Sequence, residues 1–205
     1  MPLLPTAWFQ LATGTGLPQR LAMRSAFLAL GLCLLLAPLG AAADCPATEQ
    51  TARDARTDPL FRQLAASTSE DTGMRLASEI WQIWSTAPDT EAQKLLDLGV
   101  ERIGWGEFGE AEKVLSRLIT YCPDYPEGWN QRAFARFLAR DYDGALADLD
   151  QTLALEPRHF GALAGRGLTL LSQGRQLPGY AEIRKAAALH PWLNERHLLP
   201  PEERL

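Results

Sequence analysis

The sequence predicts an all-α fold, a short solenoid of antiparallel helix hairpins, and three observations lead to it. The stretch from Trp129 to Pro157 contains two short amphipathic segments with apolar residues at helical spacing, separated by a turn at Arg140-Asp141. Prolines at 123, 157 and 191 stand 34 residues apart. A single hairpin of this size cannot bury its own apolar face, so similar hairpins must pack beside it.

Three windows align at this period: residues 92–125, 126–159 and 160–193. The same kinds of side chain recur in phase: Gly99, Ala133 and Gly167 at the eighth position, Ala111, Ala145 and Gly179 at the twentieth, and Leu115, Leu149 and Ile183 at the twenty-fourth. The period and the small residues resemble the tetratricopeptide repeat. The resemblance implies a right-handed superhelical solenoid whose concave groove binds other proteins.

In that family the concave groove is lined by set positions of the first helix of each repeat. The resemblance therefore predicts these partner-binding residues: Val100, Ile103, Asn130, Phe134, Phe137, Leu138, Leu168 and Leu171. Most are apolar, which favours an amphipathic helix or an extended apolar segment as the partner. Some family members hold a C-terminal carboxylate with Lys, Asn and Arg, and of these types only Asn130 is present here. The alternative is that the N-terminal segment of the chain fills the groove itself.

Residues 1–43 are typical of export rather than of a folded domain. Residues 23–43 form a predicted signal peptide, with a basic start, an apolar run over 26–38 and a small-residue cleavage site before Asp44. Residues 1–22 are interpreted as a mis-assigned start upstream of Met23 or as an extended leading region. The sequence thus predicts a periplasmic or secreted protein without a stable membrane anchor after cleavage. An uncleaved anchor is the alternative.

Residues 44–91 are expected to form a degenerate or capping hairpin ahead of the first repeat. One helix is predicted to start at Asp58-Pro59, and a second to run over 71–85. Trp81 and Trp84 on this second helix are expected to pack into the first full repeat. Thr90 and Gln93 suggest a capping box at the start of that repeat. Residues 194–205 are expected to form a short cap and tail.

The cysteines and charges limit the possible functions. Signal cleavage leaves Cys45 and Cys122, which predicts one disulfide bond in an oxidising compartment, with free thiols or a bond between chains as alternatives. The net charge of −5 argues against nucleic acid as a partner. The acid-rich run over 141–150 is interpreted as a solvated helix face, from which Asp148 could pair with Arg132 or Arg166.

The sequence contains no phosphate-binding glycine loop, no HExxH and no GxSxG motif. Its three histidines lack the spacing of a metal site. The prediction is therefore a protein that is not an enzyme and needs no cofactor or metal. We expect an exported protein–protein interaction module that binds a helix or apolar segment of a protein or peptide partner. The alternative is a structural or accessory subunit of a cell-envelope complex.

Overall fold

The computed structural model describes residues 45–46 and 50–201. Within these residues there are eight α-helices, one short 3-10 helix and no strands. The helices are α1 (Gln50–Ala65), α2 (Glu70–Trp84), α3 (Thr90–Gly104), α4 (Phe108–Tyr121), α5 (Pro126–Leu138), α6 (Tyr142–Leu155), α7 (Phe160–Ser172) and α8 (Gln176–Leu189), followed by the 3-10 helix Asn194–Leu198. The predicted signal peptide, cleavage site and start at Met23 lie outside the described residues.

Helices α3 to α8 form three antiparallel hairpins, which confirms the predicted solenoid of hairpins. Each hairpin closes over a small residue, as the sequence pattern indicates. A Cβ atom at Gly167 would lie 2.6 Å from Cγ1 of Ile183 and 2.9 Å from the carbonyl oxygen of Gly179. Ala111 and Ala145, which occupy the position of Gly179 in the other two hairpins, are fully buried. The helices of one hairpin therefore approach closely at these positions, and larger residues there would separate them.

The turns inside the three hairpins share one backbone feature. Gly106, Arg140 and Gly174 stand one period apart, and all three have positive φ angles of 77°, 65° and 76°. Glycine adopts this left-handed conformation without steric cost, whereas Arg140 does not. Asp141 then caps α6 by accepting a hydrogen bond from the backbone N–H of Gly144. The predicted turn at Arg140-Asp141 is confirmed.

One predicted helix start and one predicted helix cap are wrong. Helix α1 begins at Gln50, so Pro59 lies inside it instead of at its first position. Pro59 and Ala55, whose carbonyl loses its helical donor, are both exposed, which leaves room for the ring and gives the carbonyl access to water. Helix α3 is capped by Asp89, which accepts from the N–H of Ala92 at 2.8 Å, and Gln93 instead accepts from the N–H of Ala87.

The α1–α2 hairpin packs on the third repeat, not on the first. Its buried side chains share one cluster with α7, α8 and the C-terminal segment: Phe61, Leu64, Leu76, Ala77, Ile80 and Trp84 pack with Phe160, Leu163, Ala164, Ala186 and Leu193. The expectation that Trp81 and Trp84 pack into the first repeat is wrong. The physical reason lies on α7, where Gly161 and Ala164 leave space for large rings that Gln93 and Leu96 of α3 do not leave.

Candidate protein-binding groove

The first helices of the three repeats, α3, α5 and α7, carry the positions predicted to line the concave groove. In the structure, the surface of these three helices divides into a covered half and an open half. The N-terminal halves of α5 and α7 lie under the α1–α2 hairpin or among buried polar side chains. This covered half consists of Glu127, Asn130, Phe160, Gly161 and Ala164, of which Gly161 is half-buried and the other four are buried.

An aromatic cluster holds α2 on the covered half. The indole of Trp84 stacks on the imidazole of His159, with centroids 4.0 Å apart and planes 15° apart. Phe160 lies 4.9 Å from Trp84 and 6.3 Å from Phe61, the latter edge-on. Such aromatic pairs add about 1 kcal/mol each beyond the area that they bury. The hairpin is therefore anchored through its own aromatic side chains to the start of α7.

Two glycines receive tryptophan rings at this contact. A Cβ at Gly161 of α7 would overlap the ring of Trp81, so the indole lies directly on the helix backbone. A Cβ at Gly73 of α2 would in turn overlap the ring of Trp192, whose Nε1 donates to Oγ of Ser67 at 2.8 Å. The hairpin is thus wedged between α7 on one side and the C-terminal segment on the other.

Polar contacts add to the aromatic ones. Arg158 donates to Asp58 at 2.6 Å and to Asp54 at 2.7 Å, both on α1. The hydroxyl of Tyr125 donates to the carbonyl oxygen of Trp84 at 2.8 Å. Burial, and after it the carboxylate of Glu127, raises the pKa of Tyr125 well above its usual value, so the hydroxyl keeps its proton. These bonds link α1 and α2 to the turns that precede α7 and α5.

A buried polar cluster lies beneath the aromatic rings. Glu127 accepts hydrogen bonds from the side-chain amides of Asn130 and Gln131, and its Oε2 lies 3.0 Å from Nε2 of His159. Nδ1 of His159 accepts from the backbone N–H of Ala162 and caps α7. Asn130 is only 8% exposed. It belongs to this cluster and is more deeply buried than the other seven predicted groove residues.

The C-terminal halves of the same helices form the open half of the groove. Seven predicted residues lie here, all half-buried: Val100, Ile103, Phe134, Phe137, Leu138, Leu168 and Leu171. Each side chain is partly covered by its own repeat. The ring of Phe137 lies 5.8 Å from that of Tyr142, and Leu171 lies over Gly179. The open half is thus an apolar strip across three repeats that α1 and α2 leave uncovered.

Comparison with known proteins agrees with this architecture. No protein-family model matches the chain. It is 33% identical over 119 residues to a TPR repeat-containing protein of Rhizobium etli, and the match covers 58% of this chain and 58% of that protein. Among solved structures, the first tetratricopeptide-repeat domain of Spaghetti (RPAP3), bound to an HSP90 peptide, matches with a TM-score of 0.50. That match is 21% identical and covers 52% of this chain and 86% of the other.

The chain has a tetratricopeptide-repeat fold. The translocator chaperone SycD of Yersinia enterocolitica is a further structural neighbour, with a TM-score of 0.48, 16% identity and coverage of 49% of this chain and 77% of that one. The curated relative extends well beyond the part that this chain matches. The likeness to the solved domains concerns the fold, and the groove of this tetratricopeptide-repeat fold is interpreted from its own residues.

Arginine–carboxylate pairs connect the second helices of the repeats to the first. Asp148 accepts from Nε and Nη2 of Arg132 at 2.9 and 2.7 Å and from Nη1 of Arg136 at 2.9 Å. It is 2% exposed, so its interpretation as part of a solvated face is wrong, whereas its pairing with Arg132 is confirmed. Arg136 also donates to Glu112 of the preceding repeat, which fixes how repeats one and two stack.

The cysteine pair connects the leading segment to the first repeat. Cys45 and Cys122 are joined by a disulfide in the structure, with Cα atoms 5.2 Å apart. Cys122 ends α4 and is buried, while Cys45 is half-buried against the same cluster of the first repeat. The bond therefore fixes the start of the described chain at one end of the solenoid, while α1 and α2 cross to the other end.

Neither a metal site nor a membrane span is found in the described part of the chain. No three His, Cys, Asp or Glu side chains lie where they could hold a metal ion. No helix there is long and apolar enough to cross a membrane.

Sequence reasoning missed Trp81, Gly161, Gly73 and Trp192 as the residues that seat the hairpin. One signal was present: the second position of the repeat holds Gln93 and Glu127 in the first two copies but Gly161 in the third. Gly161 is the second residue of α7, and an isolated glycine in a helical pattern often marks close approach of another element. The element that approaches is not encoded in that position, because Trp81 comes from a segment about eighty residues earlier.

Proposed function

We propose that this protein is an exported interaction module whose open half binds an amphipathic helix or an apolar segment of another protein. The observation that supports it is the strip of half-buried apolar side chains across α3, α5 and α7. Ordinary water-exposed surfaces rarely carry such a contiguous strip unless it serves recognition. A binding role also agrees with the solved neighbour, a tetratricopeptide-repeat domain bound to a peptide.

The chemistry of the strip limits the kind of partner. None of its seven residues carries a charge or a side-chain hydrogen-bond donor. Asn130, the one polar residue of the predicted set, is bonded to Glu127 inside the covered half. A partner held by its C-terminal carboxylate would need cationic donors here. We therefore propose that the partner binds through apolar side chains, spaced as on one face of a helix.

Export and oxidation belong to the same proposal. The apolar run over 26–38 and the small residues before Asp44 support transport across a membrane. In an oxidising compartment, Cys45 and Cys122 would be joined as their Cα separation of 5.2 Å permits. N-terminal sequencing of the exported protein tests this, and a first residue of Asp44 is expected. Recovery of an uncleaved, membrane-bound chain would contradict it.

Partner capture by the strip is tested with Phe137→Glu. The new carboxylate would have to be desolvated on binding, so capture of partners from a cell-envelope extract should fall at least tenfold. Ala154→Glu, at an exposed position of α6, adds the same charge outside the strip and should leave capture unchanged. The helical circular dichroism of both variants should match the parent protein. Equal capture by both variants would show that the strip is not the binding surface.

A further inference from the structure

The contact between the α1–α2 hairpin and the covered half contains two buried histidines. His159 stacks on Trp84 of α2, and it directly precedes Phe160. His190 ends α8, and its ring lies 5.1 Å from that of Phe160. Both side chains are at most 3% exposed. Phe160, a central residue of the hairpin contact, therefore lies against the ring of His190 and follows His159 directly in the chain.

The hydrogen bonds of His159 require a neutral ring. Nδ1 accepts from the backbone N–H of Ala162 at 3.0 Å, so the ring proton must be on Nε2, where it is donated to Glu127. A second proton on Nδ1 would point at the N–H of Ala162 and remove the cap of α7. The neutral ring of His159 therefore holds the first turn of the helix on which the hairpin sits.

The surroundings of His190 also disfavour a positive charge on its ring. Its Nδ1 is buried without a hydrogen-bond partner in the described structure. Burial, and after it the positive charge of Arg196, lowers its pKa from 6.5 to about 4. The residue lies two positions before Trp192, the ring seated on Gly73 of α2. Charging His190 would therefore disturb both Phe160 and the C-terminal segment that supports the hairpin.

The charged and titratable groups around these rings come from every element packed there. Helix α1 contributes Arg53, Asp54 and Asp58, the turns contribute Tyr125, Glu156 and Arg158, α5 contributes Glu127, and the C-terminal segment contributes Glu195 and Arg196. Asp54 and Asp58 are paired with Arg158. Helix α2 faces His159 with the rings of Trp81 and Trp84. No carboxylate bonds to His190 in the described part of the chain.

We propose that the α1–α2 hairpin is a pH-sensitive cover, which leaves the covered half of the groove when the buried His190 takes up a proton. Opening would extend the apolar strip to Phe160, Leu163 and Ala164. That the uncovered surface then binds a partner rests on the proposed function, whereas the opening itself does not. The described architecture suits such a movement, because the first two repeats bury their side chains in clusters separate from the hairpin.

The lowered pKa of His190 determines whether the hairpin opens at low or at high pH. An exposed histidine has a pKa near 6.5, so the open form binds a proton at a higher pH than the closed form does. Closure is therefore fully favoured above pH 6.5 and loses support as the pH falls towards 4. For His190 alone, the ratio of open to closed molecules should rise about 30-fold between pH 8 and pH 5.

Hydrogen exchange followed by mass spectrometry on the purified full-length protein tests the proposal. Exchange is measured at pH 7.5 and pH 5.0 and corrected for the intrinsic pH dependence of amide exchange. We expect peptides from α1 and α2 to lose protection at pH 5.0 by at least tenfold, while peptides from α3 and α4 keep theirs. Unchanged protection of α1 and α2, or an equal loss in α3 and α4, would overturn the proposal.

Histidine variants assign the effect. His190→Gln keeps a neutral polar side chain at all pH values and should reduce the acid response several-fold, whereas His197→Gln on the exposed 3-10 helix should not. If His190→Gln does not fold, His190→Asn supplies the test, because its amide is also neutral at all pH values. A full acid response in the folded variant would overturn the proposal. Partner capture is not measured here, so failure of the proposed function would leave this result unaffected.

Discussion

The covered half of the groove differs from the open half in carrying two small side chains on α7. In the covered half, Gly161 and Ala164 leave space, and large rings from α2 and α1 fill it. In the open half, side chains such as Phe137 and Leu171 are themselves large and lie partly over their own hairpins. Small residues on a helix face thus leave space in which another part of the same chain can pack. Large ones partly cover themselves and leave an apolar surface for another molecule.

The largest expected effect comes from exchanging these sizes. Gly161→Leu would place a side chain where the ring of Trp81 lies, so the hairpin must shift or detach. Overpacking typically costs 1–3 kcal/mol, and loss of the aromatic contacts adds to it, so we expect a loss of about 4 kcal/mol in the free energy of unfolding. Denaturant unfolding monitored by circular dichroism measures it.

The matched control is Gly104→Leu at the end of α3. Nothing lies within 4 Å of a Cβ at that position, so the same substitution should change stability by less than about 1 kcal/mol. Similar losses for the two leucine variants would mean that the covered half is not defined by the space at Gly161.

The disulfide should have the next largest effect. Cys45 and Cys122 are 77 residues apart, and a loop of that length corresponds to about 4 kcal/mol in the chain-entropy model, with 2–4 kcal/mol measured in typical proteins. Cys45→Ser should therefore lower the free energy of unfolding by about 2–4 kcal/mol. Alkylation of the exported protein without reductant checks the bond itself. Labelling of both cysteines in each monomer would contradict it.

The solenoid could be predicted from the sequence because its determinants recur. The small residues that close each hairpin stand at fixed spacing, and the turn at Arg140-Asp141 lies in phase with Gly106 and Gly174. The eight predicted groove residues were also derived from this phase. What periodicity cannot encode is a contact made once. The seating of Trp81 on Gly161 and of Trp192 on Gly73 joins segments outside the repeat frame, so the position of α1 and α2 was predicted wrongly.

The buried polar residues show the same limit. Asp148 was interpreted as solvated because acids alternate with apolar residues along α6, yet Arg132 and Arg136 enclose it. Whether an acid on a second helix meets arginines of the first helix of its own repeat depends on how the two helices pack. Amphipathic spacing predicts only which face of a helix is apolar.

A smaller effect is expected from polar substitution within the open half. Leu138→Gln exchanges a half-buried side chain for one of similar volume, so the free energy of unfolding should fall by no more than about 1 kcal/mol. Leu64→Gln in the α1 cluster places an amide at a fully buried position and should cost at least about 3 kcal/mol. The two midpoints of urea unfolding measure the difference. Equal losses would mean that Leu138 is part of the core rather than of a free strip.

The smallest expected effect lies in the turn at the end of α5, next to the open half. Arg140 has a φ angle of 65°, a conformation that costs a residue with a Cβ about 1 kcal/mol, whereas the matching turns use Gly106 and Gly174. Arg140→Gly should therefore raise the free energy of unfolding by about 0.5 kcal/mol, because the greater freedom of glycine in the unfolded chain offsets part of the gain. The reciprocal change, Gly174→Arg, should lower it by about 1 kcal/mol. Thermal unfolding of the two variants against the parent protein checks the pair. A loss of stability in Arg140→Gly would show that the arginine side chain makes contacts that outweigh the strain in its backbone.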